Sequence, residues 1–429
     1  MSHYDRVRVL FCDHLGLARG KYVPWRVAGH GEVKNCITLF ALDYDRSMSP
    51  APGAMMMEGN PDMEMRFSLD ELRASWEDDR TAIAVADGWF RGEPLAIAPR
   101  TVLRKAIDDW AELGYRCKVG IELEAYILQR DDKGNWVEWD TPGAYVYGTG
   151  RAVDPVGLID EIMATAERLG LPIDSMNAEY DTPQFELTLT YDDALKAVDD
   201  IFVFKVMCRE LAAAHGLLLT FMGKPFSAKA GSGLHVNFSV VDADGNNAFA
   251  DDSDPNGLSQ LAYQSIAGCL EHHEAMAAVC APTVNAYKRL RPAQLSGYWA
   301  NWGIDHRSCT VRVPGEGGAA MRLEHRMPDG AANPYLATAA VLQAARLGVV
   351  NGLSAPPPET LDGFEATSTE RHTPDNLSLA LDALEADTVF AAAFGQAAVD
   401  HWVFIKRAEW DKFCAAVTDW ELNHYLPFL

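Results

Sequence analysis

The segment GIELEAYIL, residues 120–128, limits most strongly how this chain can fold. It is an apolar run that carries two acidic residues two positions apart. Alternate residues of a strand point to the same side, so Glu122 and Glu124 project together while Leu123 points the other way. Two like charges on one face of an apolar strand are unfavourable unless solvent or a cation compensates them. The pair therefore indicates either a solvated sheet edge or a metal-binding face.

A second strand-like segment, MRLEHRMP at residues 321–328, repeats this alternation with mixed charge. Arg322, Glu324 and Arg326 form a cation, anion, cation row on one face. Such a row suits an anion held beside a metal ion, and it suits a surface ladder of salt bridges equally well.

A single histidine on a strand is more often a satisfied core residue than a ligand. Three further candidate ligands each lie beside a turn or in a strand-like run: Glu179, Glu186 and His235.

The charge of the chain restricts its partners. It carries 61 acidic and 37 basic residues, a formal charge of −24. A field of this sign repels phosphate backbones and anionic surfaces, so nucleic acids and membranes are not expected partners, and local arginines must hold any anionic substrate.

The eight cysteines form no CxxC pair, and the N-terminus lacks an apolar leader. We therefore expect reduced cysteines and a cytoplasmic protein.

Secondary-structure patterns change character near residue 100 of the 429 residues. Before it, strand-like runs separated by Gly- and Pro-containing loops predict a small β-rich domain at residues 7–13, 20–25, 36–42 and 81–89. Beyond it, strands alternate with helical patterns at residues 101–114, 155–169, 192–215 and 258–279, from Pro334 and from Asn376. We predict an N-terminal domain of residues 1–100 and a second domain of residues 101–429.

The run Glu271, His272, His273, Glu274 is rich in possible metal ligands. Adjacent helix positions diverge by about 100°, so these side chains do not converge on one ion. We interpret the run as a solvated helix face.

Several ordered segments together resemble glutamine synthetases over nearly the whole chain. They are GIELE, NAEYDTPQFE, LTFMGKPF followed by GSGLHVN, VNAYKRL, DHRSCTVRV and RLEHRMPDGAANPYL. The resemblance implies an α+β fold, in which a small N-terminal β-grasp domain precedes a large catalytic domain with an antiparallel sheet surrounded by helices. It also implies a homo-dodecamer of two stacked rings, with active sites between subunits.

By motif match, the resemblance implies two divalent-metal sites. Glu124, Glu179 and Glu186 would hold one ion, and the ion nearer the nucleotide phosphates would be held by Glu122, His235 and Glu324. Five carboxylates and one imidazole suit Mg²⁺ or Mn²⁺. The implied reaction is phosphoryl transfer from ATP to a side-chain carboxylate, followed by attack of an amine.

The same match assigns further roles. Arg307 and Arg312 would meet the transferring phosphoryl group, where fixed charge is most useful. Arg289 and Arg326 would bind substrate carboxylates, with Gly231 beside the amino acid. Nucleotide contacts would come from Ser239, Arg322 and Asn237.

One departure from the family pattern concerns the acceptor. Counting without gaps from Arg289 to Arg307, the position that carries a glutamate in ammonia-using enzymes is Leu295. That glutamate binds ammonium and removes its proton. Leucine does neither, whereas an apolar wall suits the carbon substituent of a larger amine. Trp299 and Trp302 would extend this wall or pack in the core equally well.

We therefore predict a ligase that forms γ-glutamyl phosphate from glutamate or a related amino acid and joins it to an organic amine. Changes at Ala230 and Asn237 leave the identity of the donor open. One alternative is a glutamate–ammonia ligase whose ammonium site is rebuilt from Asp43, Asp45 or Tyr145. A second alternative is a non-catalytic relative kept for assembly or regulation.

Overall fold

The computed structural model describes residues 4–429. It is a mixed α+β fold, in which small sheets at the N-terminal end precede one large sheet covered by helices. Both parts are as predicted from the sequence. The boundary near residue 100 stays a prediction; the first long helix begins at Pro99.

Two four-stranded sheets make up the N-terminal part, in the orders β2-β1-β6-β5 and β3-β4-β7-β8. Their strands are β1 Arg6–Cys12, β2 Ala18–Pro24, β3 Glu32–Cys36, β4 Asp62–Arg66, β5 Arg73–Ala74, β6 Thr81–Val85, β7 Asp87–Phe90 and β8 Glu93–Pro94. The strands predicted at residues 7–13 and 20–25 are confirmed, and the run 81–89 forms two strands. The predicted strand at 36–42 is wrong: Ile37–Ala41 is a 3₁₀ helix that buries Ile37 and Phe40. A short apolar run does not distinguish the two structures.

The large sheet has ten strands, seven of them in the order β11-β12-β9-β15-β18-β17-β16, while β10, β13 and β14 also pair with β9. They are β9 Arg116–Arg130, β10 Trp136–Glu138, β11 Ile173–Ala178, β12 Gln184–Leu189, β13 Asp192–Asp193, β14 Leu218–Thr220, β15 Leu234–Val241, β16 Trp299–Ile304, β17 Cys309–Val313 and β18 Leu323–His325. All pairs are antiparallel except β16 with β17, which are parallel. The strand β9 is therefore the centre from which the site is built.

Eleven α-helices lie within residues 4–429, and several of them cover this sheet. They are α1 Trp25–Ala28, α2 Pro99–Ala111, α3 Leu158–Arg168, α4 Ala194–Ala214, α5 Gln260–Glu271, α6 His273–Cys280, α7 Pro334–Val350, α8 Leu377–Ala386, α9 Thr388–Phe394, α10 Gln396–Ala415 and α11 Asp419–Tyr425. Proline starts both α2 and α7 at a position where its missing N–H has no helical partner to lose. The helical tail predicted from Asn376 is confirmed.

The helix predicted at residues 258–279 is broken at His272 into α5 and α6. The interpretation of residues 271–274 as a solvated face is wrong for the histidines, because His272 and His273 are both buried. His272 Nδ1 lies 2.5 Å from a carboxylate oxygen of Asp387, and His273 Nε2 lies 3.1 Å from the hydroxyl of Thr373. Their partners lie in distant parts of the sequence, which periodicity does not reveal.

No single helix within residues 4–429 is long and apolar enough to cross a membrane. The segments Thr388–Phe394 and Gln396–Tyr425 reach that length and composition only together, and they are bent by 107° relative to each other.

Candidate active site

The central strand β9 places its two acidic residues opposite ligand-type side chains on both neighbouring strands. In the antiparallel register Glu124 faces Glu186 of β12, and Glu122 faces His235 of β15. Leu123 is fully buried on the other face. The shared face predicted from the two-residue spacing is confirmed, and the register adds partners from strands that are distant in sequence.

Strand β18 contributes a buried carboxylate to the same region. Glu324 faces Asn237 of β15 and Arg312 of β17. Arg312 donates a hydrogen bond from Nη1 to Glu324 Oε2 at 2.8 Å, and Arg326 forms an ion pair with Oε1. Two guanidinium groups thus hold one carboxylate that is otherwise removed from water.

Three of the predicted metal ligands converge on one point. One ligand atom each from Glu122, His235 and Glu324 lies within 4.8 Å of the other two. His235 Nδ1 is 3.3 Å from Glu122 Oε2 and 3.5 Å from Glu324 Oε1. Its Nε2 is buried and has no hydrogen-bond partner among residues 4–429. A buried, unpartnered imidazole nitrogen beside carboxylates fits a metal-binding group.

The electrostatics of the remaining carboxylates point the same way. Burial, followed by the charges of Glu122, Glu179 and Glu124, raises the pKa of Glu186 to about 8. Burial and the charge of Glu124 also raise the pKa of Glu179. Burial acts to raise the pKa of Glu122 as well, but the hydrogen bonds with His235 and Asn237 and the charges of His235 and Arg326 together outweigh it and bring the pKa to about 2. The cluster holds more negative charge than its surroundings compensate, and a hard divalent cation would compensate it.

The cluster opens into a cavity of about 990 Å³. The cavity is lined by most of the residues that the sequence assigned to the site: Glu122, Glu124, Glu179, Glu186, Gly231, His235, Arg289, Leu295, Arg307, Arg312 and Arg326. Both carboxylates and arginines line it, so the cavity can hold a cation and an anion.

Packing fixes two of these lining residues. Arg289 is buried and donates from Nη1 to the carbonyl oxygen of Met327 at 2.8 Å and from Nη2 to that of Arg326 at 3.1 Å. A Cβ at Gly231 would lie 2.5 Å from Arg289 Cγ. A side chain at 231 would clash with that of Arg289, so glycine is required there.

The three residues predicted to contact the nucleotide do not line the cavity. Asn237 instead donates to Glu122 Oε1 at 2.9 Å and accepts from Arg322 Nε at 3.3 Å, so it links these two side chains. Arg322 also forms an ion pair with Glu316. Ser239 lies two residues beyond Asn237 on β15.

Two further predicted substrate-binding residues also lie outside the cavity lining. The centroid of the Trp299 ring lies 4.8 Å from that of the Tyr298 ring and 5.9 Å from that of the His372 ring. Tyr145 is 65% exposed, although its neighbours Val146 and Tyr147 do line the cavity.

The aspartates considered for a rebuilt ammonium site have a different partner in this chain. Lys412 of α10 binds Asp43 Oδ2 at 2.7 Å and Asp45 Oδ2 at 3.1 Å. Neither aspartate lines the cavity.

Sequence reasoning missed several cavity residues: Tyr147, Tyr180, Asp181, Lys229 and Phe364. Tyr180 and Asp181 lie inside NAEYDTPQFEL, so their proximity to Glu179 was available as a signal. Phe364 belongs to a loop with no recognisable motif, and no pattern in the sequence connects it with the site.

Comparisons with known proteins agree with this geometry. Residues 96–425 match the family described as "Glutamine synthetase, catalytic domain". The chain is 35% identical over 387 residues to a glutamine synthetase of Clostridium saccharobutylicum, which covers 85% of this chain and 84% of that protein. It is 36% identical over 440 residues to the gamma-glutamylethanolamide synthetase GlnA4 of Streptomyces coelicolor, covering 98% and 92%. The solved structure "Apo GmaS without ligand" superposes with a TM-score of 0.87 at 32% identity, covering 99% and 97%.

Proposed function

Since the chain belongs to the glutamine synthetase family and is an ATP-dependent carbon–nitrogen ligase, we propose that it joins the side-chain carboxylate of glutamate to an organic amine. The carboxylate is first phosphorylated by ATP, and the amine then displaces phosphate to give a γ-glutamyl amide. The family is in general dependent on ATP and a divalent metal, and the metal that we propose here is Mg²⁺ or Mn²⁺.

Leu295 is the observation that carries the choice of an organic amine. Its side chain is 50% exposed and lines the cavity that also contains Arg307 and the carboxylate cluster. Its carbonyl oxygen accepts a hydrogen bond from Arg326 Nη2 at 3.5 Å, which fixes the residue beside the arginines. An isobutyl group at this place offers neither charge nor a basic site to ammonium, but it offers apolar surface to an alkyl substituent.

The contacts of Asp43 and Asp45 support the same choice. Both carboxylates bind Lys412, so each is already paired with a cation of this chain. An amine recognised through its carbon substituent does not need them.

The described side chains suit the two chemical steps. Divalent ions held by Glu124, Glu179 and Glu186, and by Glu122, His235 and Glu324, would screen the phosphate oxygens of ATP. Arg307 and Arg312 offer fixed positive charge to the transferring phosphoryl group. Arg289 and Arg326 are already held by backbone carbonyls or by Glu324, so they are positioned to orient the glutamate without reorganisation.

We also propose that the protein is a homo-oligomer, as the family resemblance implies. Three large apolar residues of the C-terminal segment support association between copies, because Trp420, Leu426 and Phe428 are each more than half exposed. Measuring the molar mass in solution tests this point independently of activity.

The function is tested by phosphate release from ATP with glutamate and Mg²⁺ or Mn²⁺, comparing ammonium with methylamine, ethylamine, ethanolamine and longer alkylamines. Mass spectrometry of the product confirms the amide. We expect one organic amine to have a kcat/KM far above that of ammonium. A higher kcat/KM for ammonium would show a glutamate–ammonia ligase instead.

A further inference from the structure

The loop between α7 and α8, residues 351–376, is organised around one buried carboxylate. Glu359 is only 4% exposed. Its Oε2 accepts hydrogen bonds from Asn301 Nδ2 at 3.1 Å, from Thr367 Oγ1 at 3.0 Å and from the backbone and hydroxyl of Ser368 at 2.8 Å each. Its Oε1 accepts hydrogen bonds from the backbone N–H groups of Thr360 and Leu361, at 3.0 Å each. This carboxylate ties two segments of the loop, 359–361 and 367–368, to Asn301 of strand β16.

The tip of the loop is a second fixed element. Asp362 Oδ1 accepts hydrogen bonds from the N–H of Phe364 at 2.7 Å and of Glu365 at 2.8 Å. Gly363 has φ +74°, and a Cβ there would meet the Ser308 hydroxyl oxygen at 2.2 Å. The tip therefore presses against the turn at residues 306–308, and only glycine allows that contact.

Two hydrogen bonds connect this turn with the loop. Ser308 Oγ donates to the carbonyl oxygen of Asp362 at 3.3 Å, and His306 Nε2 lies 2.7 Å from the carbonyl oxygen of Leu361. The turn contains Arg307, whose own carbonyl oxygen accepts from Arg326 Nε at 3.1 Å. A continuous set of contacts thus runs from the loop tip to the arginines of the cavity.

These contacts hold the phenyl ring of Phe364 at the cavity. Phe364 is 50% exposed and lines the same cavity as Leu295, which is also 50% exposed. Arg326 contacts the segment that carries Leu295 and the turn against which the loop tip lies, through the carbonyl oxygens of Leu295 and Arg307. An alkyl group that covers these two side chains would gain roughly 25 cal/mol of binding free energy for each Å² of apolar surface removed from water.

We propose that Phe364 is a specificity-determining residue, and that with Leu295 it forms the apolar subsite for the alkyl substituent of the acceptor amine. This proposal rests on the function proposed above and narrows the acceptor to primary alkylamines. Arg307 lines the cavity and belongs to the turn that the loop tip contacts, so beside Phe364 an uncharged alkyl chain is favoured over one that ends in a second ammonium group. Glu359 is a positioning residue, because it acts on the substrate only through the loop that it holds.

The test compares kcat/KM for ammonium, methylamine, ethylamine, propylamine and butylamine in wild-type protein, Phe364→Ala and Phe364→Leu. We expect Phe364→Ala to lower kcat/KM for the preferred alkylamine at least tenfold through a higher KM, and to leave the values for ammonium and the KM for ATP within twofold. Phe364→Leu should keep most of the preference. The unchanged ammonium rate also reports that the variant is folded.

A matched control is Phe404→Ala on α10, whose ring is 40% exposed and does not line this cavity. It should leave the amine preference unchanged. A second variant, Glu359→Gln, should raise the KM for the alkylamine and not the KM for ATP.

The two proposals fail in distinguishable ways. If wild-type protein prefers ammonium, the proposed function and this inference are both overturned. If wild-type protein prefers an alkylamine and Phe364→Ala has the same kcat/KM for every amine, only this inference is overturned. A rise in the KM for ATP equal to that for the amine would likewise overturn it, because it would indicate a general loss of structure.

Discussion

At the scale of single residues, position 295 separates two ways of recognising an amine. A carboxylate there would bind the charged nitrogen, whereas Leu295 presents only hydrocarbon to the cavity. In the proposed reaction the arginines and carboxylates around it serve the phosphoryl chemistry in either case. One side chain can therefore change the acceptor while the rest of the reaction is kept.

The first prediction follows from this. Leu295→Glu should lower the ratio of kcat/KM for the alkylamine to that for ammonium at least tenfold, equivalent to about 1.4 kcal/mol in relative transition-state stabilisation. The measurement is amide formation with both acceptors in one buffer. Leu379→Glu, on α8 and also largely exposed, is the control for the added charge. An unchanged ratio in Leu295→Glu would contradict the assigned role of this position.

A second prediction concerns the cluster of Glu122, His235 and Glu324. His235→Ala removes one of its three convergent ligands and should weaken Mn²⁺ binding at least tenfold. Calorimetric titration of the nucleotide-free protein with MnCl₂ measures this without turnover. His215→Gln changes a surface histidine that pairs with Glu161 and should bind Mn²⁺ like the wild-type protein. Equal affinities in all three proteins would exclude this cluster as the ion site.

At the scale of elements, helix α2 connects the N-terminal sheets with the main body. Arg100 in its first turn is buried and donates to both carboxylate oxygens of Asp199 in α4, at 2.9 and 2.8 Å. It also forms an ion pair with Asp87 of β7. The hydroxyl of Tyr335 in α7 donates to the same Asp199 at 2.7 Å. One guanidinium thus joins elements on both sides of the predicted domain boundary.

The third prediction tests this connection. Arg100→Met leaves Asp199 buried without its cation and should lower the free energy of unfolding by about 3–5 kcal/mol. Arg104→Met removes a more exposed partner of the same Asp87 and should cost less than about 1 kcal/mol. Urea denaturation followed by tryptophan fluorescence compares the two variants. Similar losses in both would mean that burial of the Arg100 pair adds nothing.

The same scale shows what the sequence can predict. The two-residue spacing of Glu122 and Glu124 predicted a shared face, because alternation is a local property of a strand. Which strands lie beside β9, and hence that His235 faces Glu122, depends on the register, and the motif resemblance supplied what local spacing could not. Residues 36–42 were assigned to a strand because a short apolar run has no period of its own. Phe364 was missed because its position results from tertiary hydrogen bonds of Glu359 and Asp362.

At the scale of the whole molecule, several histidines are buried as neutral groups. Burial lowers the pKa of His273 and of His401 to about 4. Burial, followed by the charges of His401 and Lys406, also lowers the pKa of His14. In the unfolded chain each imidazole has a pKa of about 6.5. Between about pH 6.5 and 4 the unfolded state therefore binds more protons than the folded state.

The fourth prediction is a loss of stability as the pH falls through this window. Each such imidazole changes the free energy of unfolding by up to about 1.4 kcal/mol per pH unit in this window, and its contribution to stability is fully present only above pH 6.5. Thermal unfolding at pH 7.5, 6.5 and 5.5 and constant ionic strength measures it. His401→Gln should make the decrease in Tm with falling pH less steep, while His30→Gln, at an exposed position, should not. A Tm that does not change between pH 7.5 and 5.5 would refute this account.

The loop of residues 351–376 lies outside the ten-stranded sheet, yet it contributes a wall of the cavity. The candidate metal ligands and the arginines of the cavity are fixed by strand register or by backbone carbonyls, so they tolerate little change. The loop is held by Glu359, by its own turn and by the turn at residues 306–308, whereas the Phe364 side chain is half exposed and can be replaced without moving any strand. With Phe364 in the proposed role, a substitution in a peripheral segment would change the acceptor while the sheet and its cluster of carboxylates stay as they are.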